Sequence, residues 1–176
     1  MGITAGLNPH PQMPDPSAIQ SVTLTTPVMR YANRPHPDTG LAGKFSLRYR
    51  FTSGLPRGGV KIDTFADDEA ARPDMEALPG KITMNMSPDM PPRFDKMWVE
   101  ASIEMRDGGL SQTCRDGPRG IRGSPPISDE DRLVKVWDCL SRRLPTDRAD
   151  RLIGLARRAE TLTSAELRAL LRETVP

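Results

Sequence analysis

The sequence has few aromatic residues and no long apolar run. Aromatic residues make up 5% of the 176 residues and hydrophobic residues 36%, so the core must be modest and built mainly from Leu, Ile, Val and Met. No apolar run reaches the roughly 18 residues that a membrane-spanning helix needs, and the first residues lack the pattern of a secretory signal. We therefore expect a cytoplasmic protein without a membrane partner, with one domain of ordinary size and an appended helical segment.

Cysteine and histidine are also scarce. Cys114 and Cys139 are far apart in the sequence and have no neighbouring Cys or His that would complete a ligand set, so neither a zinc site nor a disulfide framework is indicated. We expect two structural thiols in a reducing compartment. His10 and His36 both lie in proline-rich segments, which argues against a histidine-based metal site. No metal is predicted.

Neither sign of charge dominates the chain. The 25 Lys and Arg residues nearly balance the 23 Asp and Glu residues, and the formal net charge is +2. This balance gives no long-range field that would attract nucleic acid. The small number of aromatic rings also leaves few surfaces on which bases can stack. The composition therefore argues against nucleic acid as a partner.

Prolines and glycines divide the chain into four segments. Four prolines among the first 16 residues predict an extended arm over residues 1–16. A small α+β domain is predicted over residues 17–116, followed by a linker rich in Gly, Pro and Arg over residues 117–126. The remaining residues, 127–176, are predicted to form carboxy-terminal helices, which begin at Ser128 as an amino-terminal cap before three acidic residues.

Alternating and helical patterns of apolar residues predict the elements of the α+β domain. The predicted strands span residues 19–28, 81–86, 98–105 and 110–115. The predicted helices span residues 41–53 and 65–77, and the second is predicted to be interrupted near Pro73. This order favours an antiparallel sheet with helices packed on one face, followed by the short all-helical segment. In the first helix, Phe45 and Tyr49 lie four residues apart, and we expect both in the core.

One stretch of the sequence resembles a known family. Residues 34–49 read Arg-Pro-His-Pro-Asp-Thr-Gly-Leu-Ala-Gly-Lys-Phe-Ser-Leu-Arg-Tyr, and they resemble the strongest motif of the MmgE/PrpD family, a proline-containing loop followed by a Lys-Phe-Ser helix that ends in tyrosine. The turn at residues 107–109 and the helix opening at residues 126–130 are similar to two further features of that family. The resemblance covers residues 17–173.

The resemblance implies chemistry without a metal or organic cofactor on small polycarboxylates, since the family includes 2-methylcitrate dehydratase, cis-aconitate decarboxylase and an iminodisuccinate epimerase. It also implies a large helical domain in front of the smaller α+β domain, with the active site between the two. This chain starts close to the first strand of the smaller domain. We therefore expect the carboxy-terminal portion or small subunit of a lyase, which requires a partner chain with the large domain or forms a homo-oligomer.

Two cationic residues of the motif are candidates for binding substrate carboxylates. Removing water or carbon dioxide next to a carboxylate requires an acid or base near the reacting carbon and cations that stabilise negative charge. Lys44 is the candidate catalytic cation, and a solvated or helix-packing lysine is the alternative. Arg34 is the candidate for substrate binding, because a guanidinium group matches a carboxylate in a bidentate manner. An ordinary surface arginine is the alternative for Arg34.

Two further residues complete the candidate site. His36 is the candidate catalytic acid or base, because imidazole is the side chain best suited to proton transfer at physiological pH, although a histidine between two prolines is more often simply exposed. Ser46 is the candidate hydrogen-bonding partner of a substrate oxygen, although serines inside helices commonly bond to their own backbone. The alternative function is a non-catalytic interaction or oligomerisation module derived from the family. Trp137 and Ile153 would then mark its interface.

Overall fold

The structure of the chain is a computed structural model, and it describes residues 15–55, 60–108, 111–117 and 126–173. Most of the predicted arm, residues 1–16, and most of the predicted linker, residues 117–126, lie outside these ranges. The chain divides into two units, Met1–Ile127 and Ser128–Pro176. The boundaries of the four segments that we derived from the sequence stay predictions. In the described ranges, no helix has the length and apolar character needed to cross a membrane.

A four-stranded sheet forms the described centre of the first unit. Its strands, in chain order, are β1 (Ile19–Pro27), β2 (Ile82–Ser87), β3 (Val99–Met105) and β4 (Ser111–Asp116). Their order across the sheet is β2-β1-β3-β4. In β1, Val22 and Leu24 are fully buried, and Thr23 and Thr25, which alternate with them, are partly exposed. This is the alternation of a strand with one face on a core.

The sheet is mixed, so the prediction of an antiparallel sheet was wrong, although the α+β class is confirmed. Strand β3 runs antiparallel to β1 and β4, but β1 and β2 are parallel, with Val22 opposite Ile82 and Leu24 opposite Met84. The physical reason lies in the long connection between β1 and β2, which contains several helices. Such a crossover returns the chain to the end of the sheet where β1 began, so β2 starts there and runs in the same direction.

Helices fill the connection between β1 and β2. In the described residues these are α1 (Gly40–Lys44), α2 (Leu47–Gly54), α3 (Asp67–Ala70) and α4 (Pro73–Ala77). Helix α2 packs on the sheet, because Leu47, Phe51 and Leu55, the residue directly after the helix, are fully buried in the same core cluster as the apolar residues of the strands. Short 3-10 turns at Arg30–Ala32, Ile62–Phe65 and Pro79–Lys81 connect these helices to the rest of the unit.

The single helix predicted over residues 41–53 is broken into α1 and α2 at Phe45 and Ser46. The backbone of Ser46 is extended, and its Oγ accepts a hydrogen bond from the N–H of Tyr49 at 3.2 Å. Serine therefore caps the second helix instead of continuing the first. Because of this break, Tyr49 is buried whereas Phe45 is 53% exposed. The prediction that Phe45 lies in the core was wrong.

The start of α1 packs tightly against the end of the Ile62–Phe65 turn and the start of α3. A Cβ atom on Gly40 would lie 1.9 Å from the carbonyl oxygen of Phe65, a distance that only a shift of the backbone would relieve. The N–H of Gly40 donates to Oδ1 of Asp67 at 2.8 Å, and Oγ1 of Thr39 accepts from the N–H of Ala42 at 3.1 Å. Helix α1 is thus fixed at its amino-terminal end by a segment distant in sequence.

Helices make up the described part of the second unit, as the sequence predicts. They are α5 (Asp129–Leu140), α6 (Thr146–Ala156) and α7 (Ser164–Glu173). Oγ of Ser128 accepts from the N–H of Asp131 at 3.0 Å, so the predicted cap at Ser128 is confirmed. Thr163 and Glu166 form a reciprocal capping pair at the start of α7. Among the described residues of this unit, Ala149 alone is buried.

The contact at Gly40 leads to a stability prediction. Gly40→Ala should lower the free energy of unfolding by about 1–3 kcal/mol, the usual cost of overpacking, even though alanine by itself favours a helix. Urea unfolding of the chain measures this change. Gly80→Ala is the matched control, because a Cβ at Gly80 would meet no atom within 4 Å. Equal effects of the two substitutions would contradict the role of the close contact.

Candidate functional site

The four candidate residues lie on one continuous segment, residues 34–46, which comprises the proline-containing loop and α1. Oγ of Ser46 donates a hydrogen bond to the carbonyl oxygen of Arg34 at 2.6 Å. This bond ties the two ends of the segment together. Since Ser46 also caps α2, and α2 is anchored in the core, the loop is held against a firmly packed helix.

Ser46 is fully buried, and the hydrogen bonds of its hydroxyl group stay inside the protein. It donates its proton to the carbonyl of Arg34 and accepts from the N–H of Tyr49. This geometry supports a role in positioning the loop. Direct contact of Ser46 with a substrate oxygen stays a prediction.

Arg34 is exposed on one side of α1. Its Nε donates to the carbonyl oxygen of Tyr31 at 3.3 Å, and its guanidinium carbon lies 5.9 Å from the centre of the Phe45 ring, within range of a cation–π contact. The side chain borders an open groove of about 300 Å³, whose other lining residues are Thr39, Leu41, Ala42 and Phe45. The Phe45 ring, whose exposure our prediction missed, therefore stabilises the position of the guanidinium group through this cation–π contact.

His36 borders a different concavity. This cavity of about 460 Å³ lies among the loop, α2, α3 and α4, and it is lined by Pro35, His36, Pro37, Asp38, Tyr49, Ala70, Met75 and Pro79. The hydroxyl of Tyr49 donates to the carbonyl oxygen of Thr64 at 2.6 Å, so it is engaged with the protein. Tyr49 is 1% exposed and belongs to a core cluster, which confirms its prediction as a core residue. The cavity is thus mainly apolar, with an imidazole and a carboxylate at its edge.

Lys44 is exposed at the end of α1, and its Nζ lies 5.7 Å from the centre of the Phe65 ring. It is not among the residues that line the groove beside Arg34 or the cavity beside His36. The segment therefore presents its three titratable candidates in three different surroundings. In the part of the chain that the structure describes, they are neighbours on one loop and helix but do not share either concavity.

Two arginines of α2 have structural contacts with the backbone. Nη1 of Arg48 donates to the carbonyl oxygens of Ile82 and Pro79, and Nε of Arg50 donates to the carbonyl oxygen of Ser46 at 3.3 Å. Burial lowers the pKa of both guanidinium groups, but arginine keeps its charge because its ordinary pKa is so high. Arg48 therefore links α2 to the start of β2.

Neither a metal-binding cluster nor a cysteine thiol lies among the candidate residues of the described site. The described residues include no group of three or more His, Cys, Asp and Glu side chains that could hold a metal ion. Cys139 has an exposed thiol in α5. Cys114 belongs to β4, and its side chain lies outside the described part of the structure. The candidate chemistry thus rests on the polar side chains of residues 34–46.

Comparison with known proteins places most of the chain in a family. A family model described as the MmgE/PrpD C-terminal domain matches residues 3–161. The chain belongs to the MmgE/PrpD family. The match includes the proline-containing loop, α1, the whole sheet and most of the second unit, and it confirms the resemblance that residues 34–49 show.

Two curated relatives of this MmgE/PrpD chain are cis-aconitate decarboxylases. The mouse protein (Mus musculus) is 30% identical over 144 residues, which are 82% of this chain and 29% of the relative. The human protein (Homo sapiens) is 28% identical over 159 residues, which are 90% of this chain and 33% of the relative. This chain therefore spans about a third of the length of the curated relatives that it matches.

Sequence reasoning missed the residues that hold the candidate segment in place. Asp67 falls inside the helix predicted over residues 65–77, and nothing in the sequence indicated that it accepts a hydrogen bond from the N–H of Gly40, which is 27 residues away. Phe65 was interpreted as the start of a helix, but its carbonyl and its ring both lie against α1. Gly40, a glycine at the start of a helix, was the one local signal that another backbone approaches there.

Proposed function

We propose that this chain forms the smaller-domain part of a lyase site that dehydrates or decarboxylates small polycarboxylates, with amino-acid side chains alone. The observation that carries this proposal is the family match over residues 3–161, together with two relatives named as decarboxylases. Since the chain spans about a third of those relatives, we further propose that a large helical domain, in the same protein or in a partner chain, completes the site.

Lys44 and Arg34 are the cations that hold the substrate in this proposal. A polycarboxylate carries several negative charges, and both cations are exposed to solvent at the surface of the segment. The planar guanidinium group of Arg34, supported by Phe45, offers two parallel donors to one carboxylate. The ammonium group of Lys44 binds a second carboxylate and stabilises the charge that develops as the reaction proceeds.

His36 moves the proton in this proposal. In decarboxylation, the carbon–carbon bond to one carboxylate breaks, carbon dioxide leaves, and the electron pair stays on a carbon that then accepts a proton. In dehydration, a base removes a proton from one carbon, a carbon–carbon double bond forms, and the hydroxyl group on the neighbouring carbon accepts a proton and leaves as water. An imidazole serves as the acid in the first reaction and as the base in the second. The exposed position of His36 at the cavity edge supports this role.

Binding of cis-aconitate to the chain tests the proposal at residue level. Titration followed by NMR should perturb the signals of Arg34, His36 and Lys44. Lys44→Ala should weaken binding about five- to tenfold, because it removes one charge-assisted contact at an exposed position. Lys96→Ala is the matched control, since Lys96 is an exposed lysine of the same unit in the loop before β3. Equal affinities of the two variants would contradict the role of Lys44.

A second candidate function has support from the helical unit. Helices α5 and α6 border an open groove of about 740 Å³, which is lined by Asp129, Arg132, Leu133, Val136, Leu140, Leu152, Ile153, Ala156 and Arg157. Most of these side chains are apolar and remain partly exposed. A segment of this size that buries so little surface needs a partner. The chain is then an interaction or oligomerisation module, whether or not it also forms part of a lyase.

The mass of the chain in solution tests this second candidate. If the groove is an interface between copies, the native chain should sediment as an oligomer, and Ile153→Asp should shift it to the monomer because a charge replaces an apolar group in the groove. Val134→Asp is the matched control, because Val134 lies on the same helix as the groove residues but is 64% exposed and does not line the groove. A monomeric native chain would contradict self-association.

A further inference from the structure

The ammonium group of Lys44 lies over an aromatic ring. Its Nζ is 5.7 Å from the centre of the Phe65 ring, a distance at which the negative face of the ring attracts a cation. An exposed lysine otherwise samples many rotamers and loses that freedom when it binds a ligand. How well Lys44 is placed for a carboxylate therefore depends on how firmly Phe65 is held.

Core residues hold the partly buried Phe65 ring. The ring packs against the cluster of Tyr49, Ala70 and Met75, and its centre lies 5.9 Å from that of the Tyr49 ring at an angle of 46°. The Tyr49 hydroxyl donates to the carbonyl oxygen of Thr64, the residue before Phe65, at 2.6 Å. Both the ring and the backbone of Phe65 are thus tied to a side chain that is 1% exposed.

The helix that carries Lys44 is tied to the same place. The Cα of Gly40 lies so close to the carbonyl oxygen of Phe65 that a Cβ would be 1.9 Å from it. The N–H of Gly40 also donates to Asp67 at 2.8 Å. Because α1 is only five residues long, fixing its first residue against Phe65 also fixes Lys44, its last, relative to that ring.

We propose that Phe65 is a positioning residue that holds the Lys44 ammonium group ready for a substrate carboxylate. This inference rests on the proposed function, in which Lys44 binds a carboxylate. The ring covers one side of the ammonium group, and the exposed side is left for the ligand. A cation that is already placed loses less side-chain freedom on binding. Phe65 therefore raises the affinity of the site without contacting the substrate.

Three substitutions and one probe test this role. Phe65→Leu removes the ring but keeps an apolar side chain, Phe65→Tyr keeps the ring, and Phe94→Leu makes the same change at a ring that is 60% exposed between β2 and β3. The probe is cis-aconitate, titrated into the full chain and followed by NMR. The ε-methylene protons of Lys44 report directly on the ring, because an aromatic ring current shifts the signals of protons above its face.

In the native chain, and in the variants Phe65→Tyr and Phe94→Leu, the ε-methylene signals of Lys44 should be shifted upfield. In Phe65→Leu the upfield shift should vanish, and the affinity for cis-aconitate should fall about two- to fivefold, because binding must then order the Lys44 side chain. Rescue by tyrosine separates the role of the ring from a general loss of packing. If Phe65→Leu loses the spectrum of a folded chain, Phe65→Met replaces it, since methionine adapts to irregular space.

The outcomes separate this inference from the proposed function. Unshifted Lys44 signals in the native chain would overturn the role of Phe65. The same conclusion would follow if Phe65→Leu kept native affinity while Lys44→Ala bound more weakly, and the proposed function would then stand. If Lys44→Ala bound as tightly as the native chain, both the proposed function and the role of Phe65 would be overturned.

Discussion

The contact between Gly40 and the carbonyl of Phe65 is the constraint on which the candidate site depends. Without a side chain at Gly40, the two backbones approach closely, Asp67 caps the first N–H of α1, and the Phe65 ring comes to lie beneath Lys44. At the other end of the segment, Ser46 fixes the carbonyl of Arg34. The loop with its cations is thus held at both ends by hydrogen bonds and packing.

Helix α2 connects this loop to the core. Leu47, Phe51 and Leu55 anchor the helix on the sheet, and Ser46 at its start carries the bond to Arg34. Arg48 links the same helix to the carbonyl of Ile82 at the start of β2. A mixed sheet with a helical crossover therefore serves as a platform, and the polar side chains proposed for carboxylate binding lie on the crossover rather than on the strands. Loops held by a rigid scaffold commonly carry function in this way.

The sequence predicts well what depends on local pattern. Alternation around Val22 and Leu24 located β1, and Ser128 located the start of α5. It predicts poorly what depends on contacts between distant residues. The direction of β2 follows from where the crossover ends, the exposure of Phe45 follows from the cap that Ser46 forms, and the support of Lys44 comes from residues more than twenty positions away. The candidate residues were identified from the family resemblance, but their surroundings are formed by residues that are distant in the sequence.

The most direct test of the account is an assay of carbon dioxide release from cis-aconitate, with the chain alone and mixed with the part of the mouse relative that lies outside the matched residues. Our account predicts no turnover by the chain alone, turnover by the mixture, and loss of that turnover when the chain carries Lys44→Ala. Turnover by the chain alone would show that the site is complete without the large domain. A stable but inactive mixture would show that this domain does not form part of a lyase site.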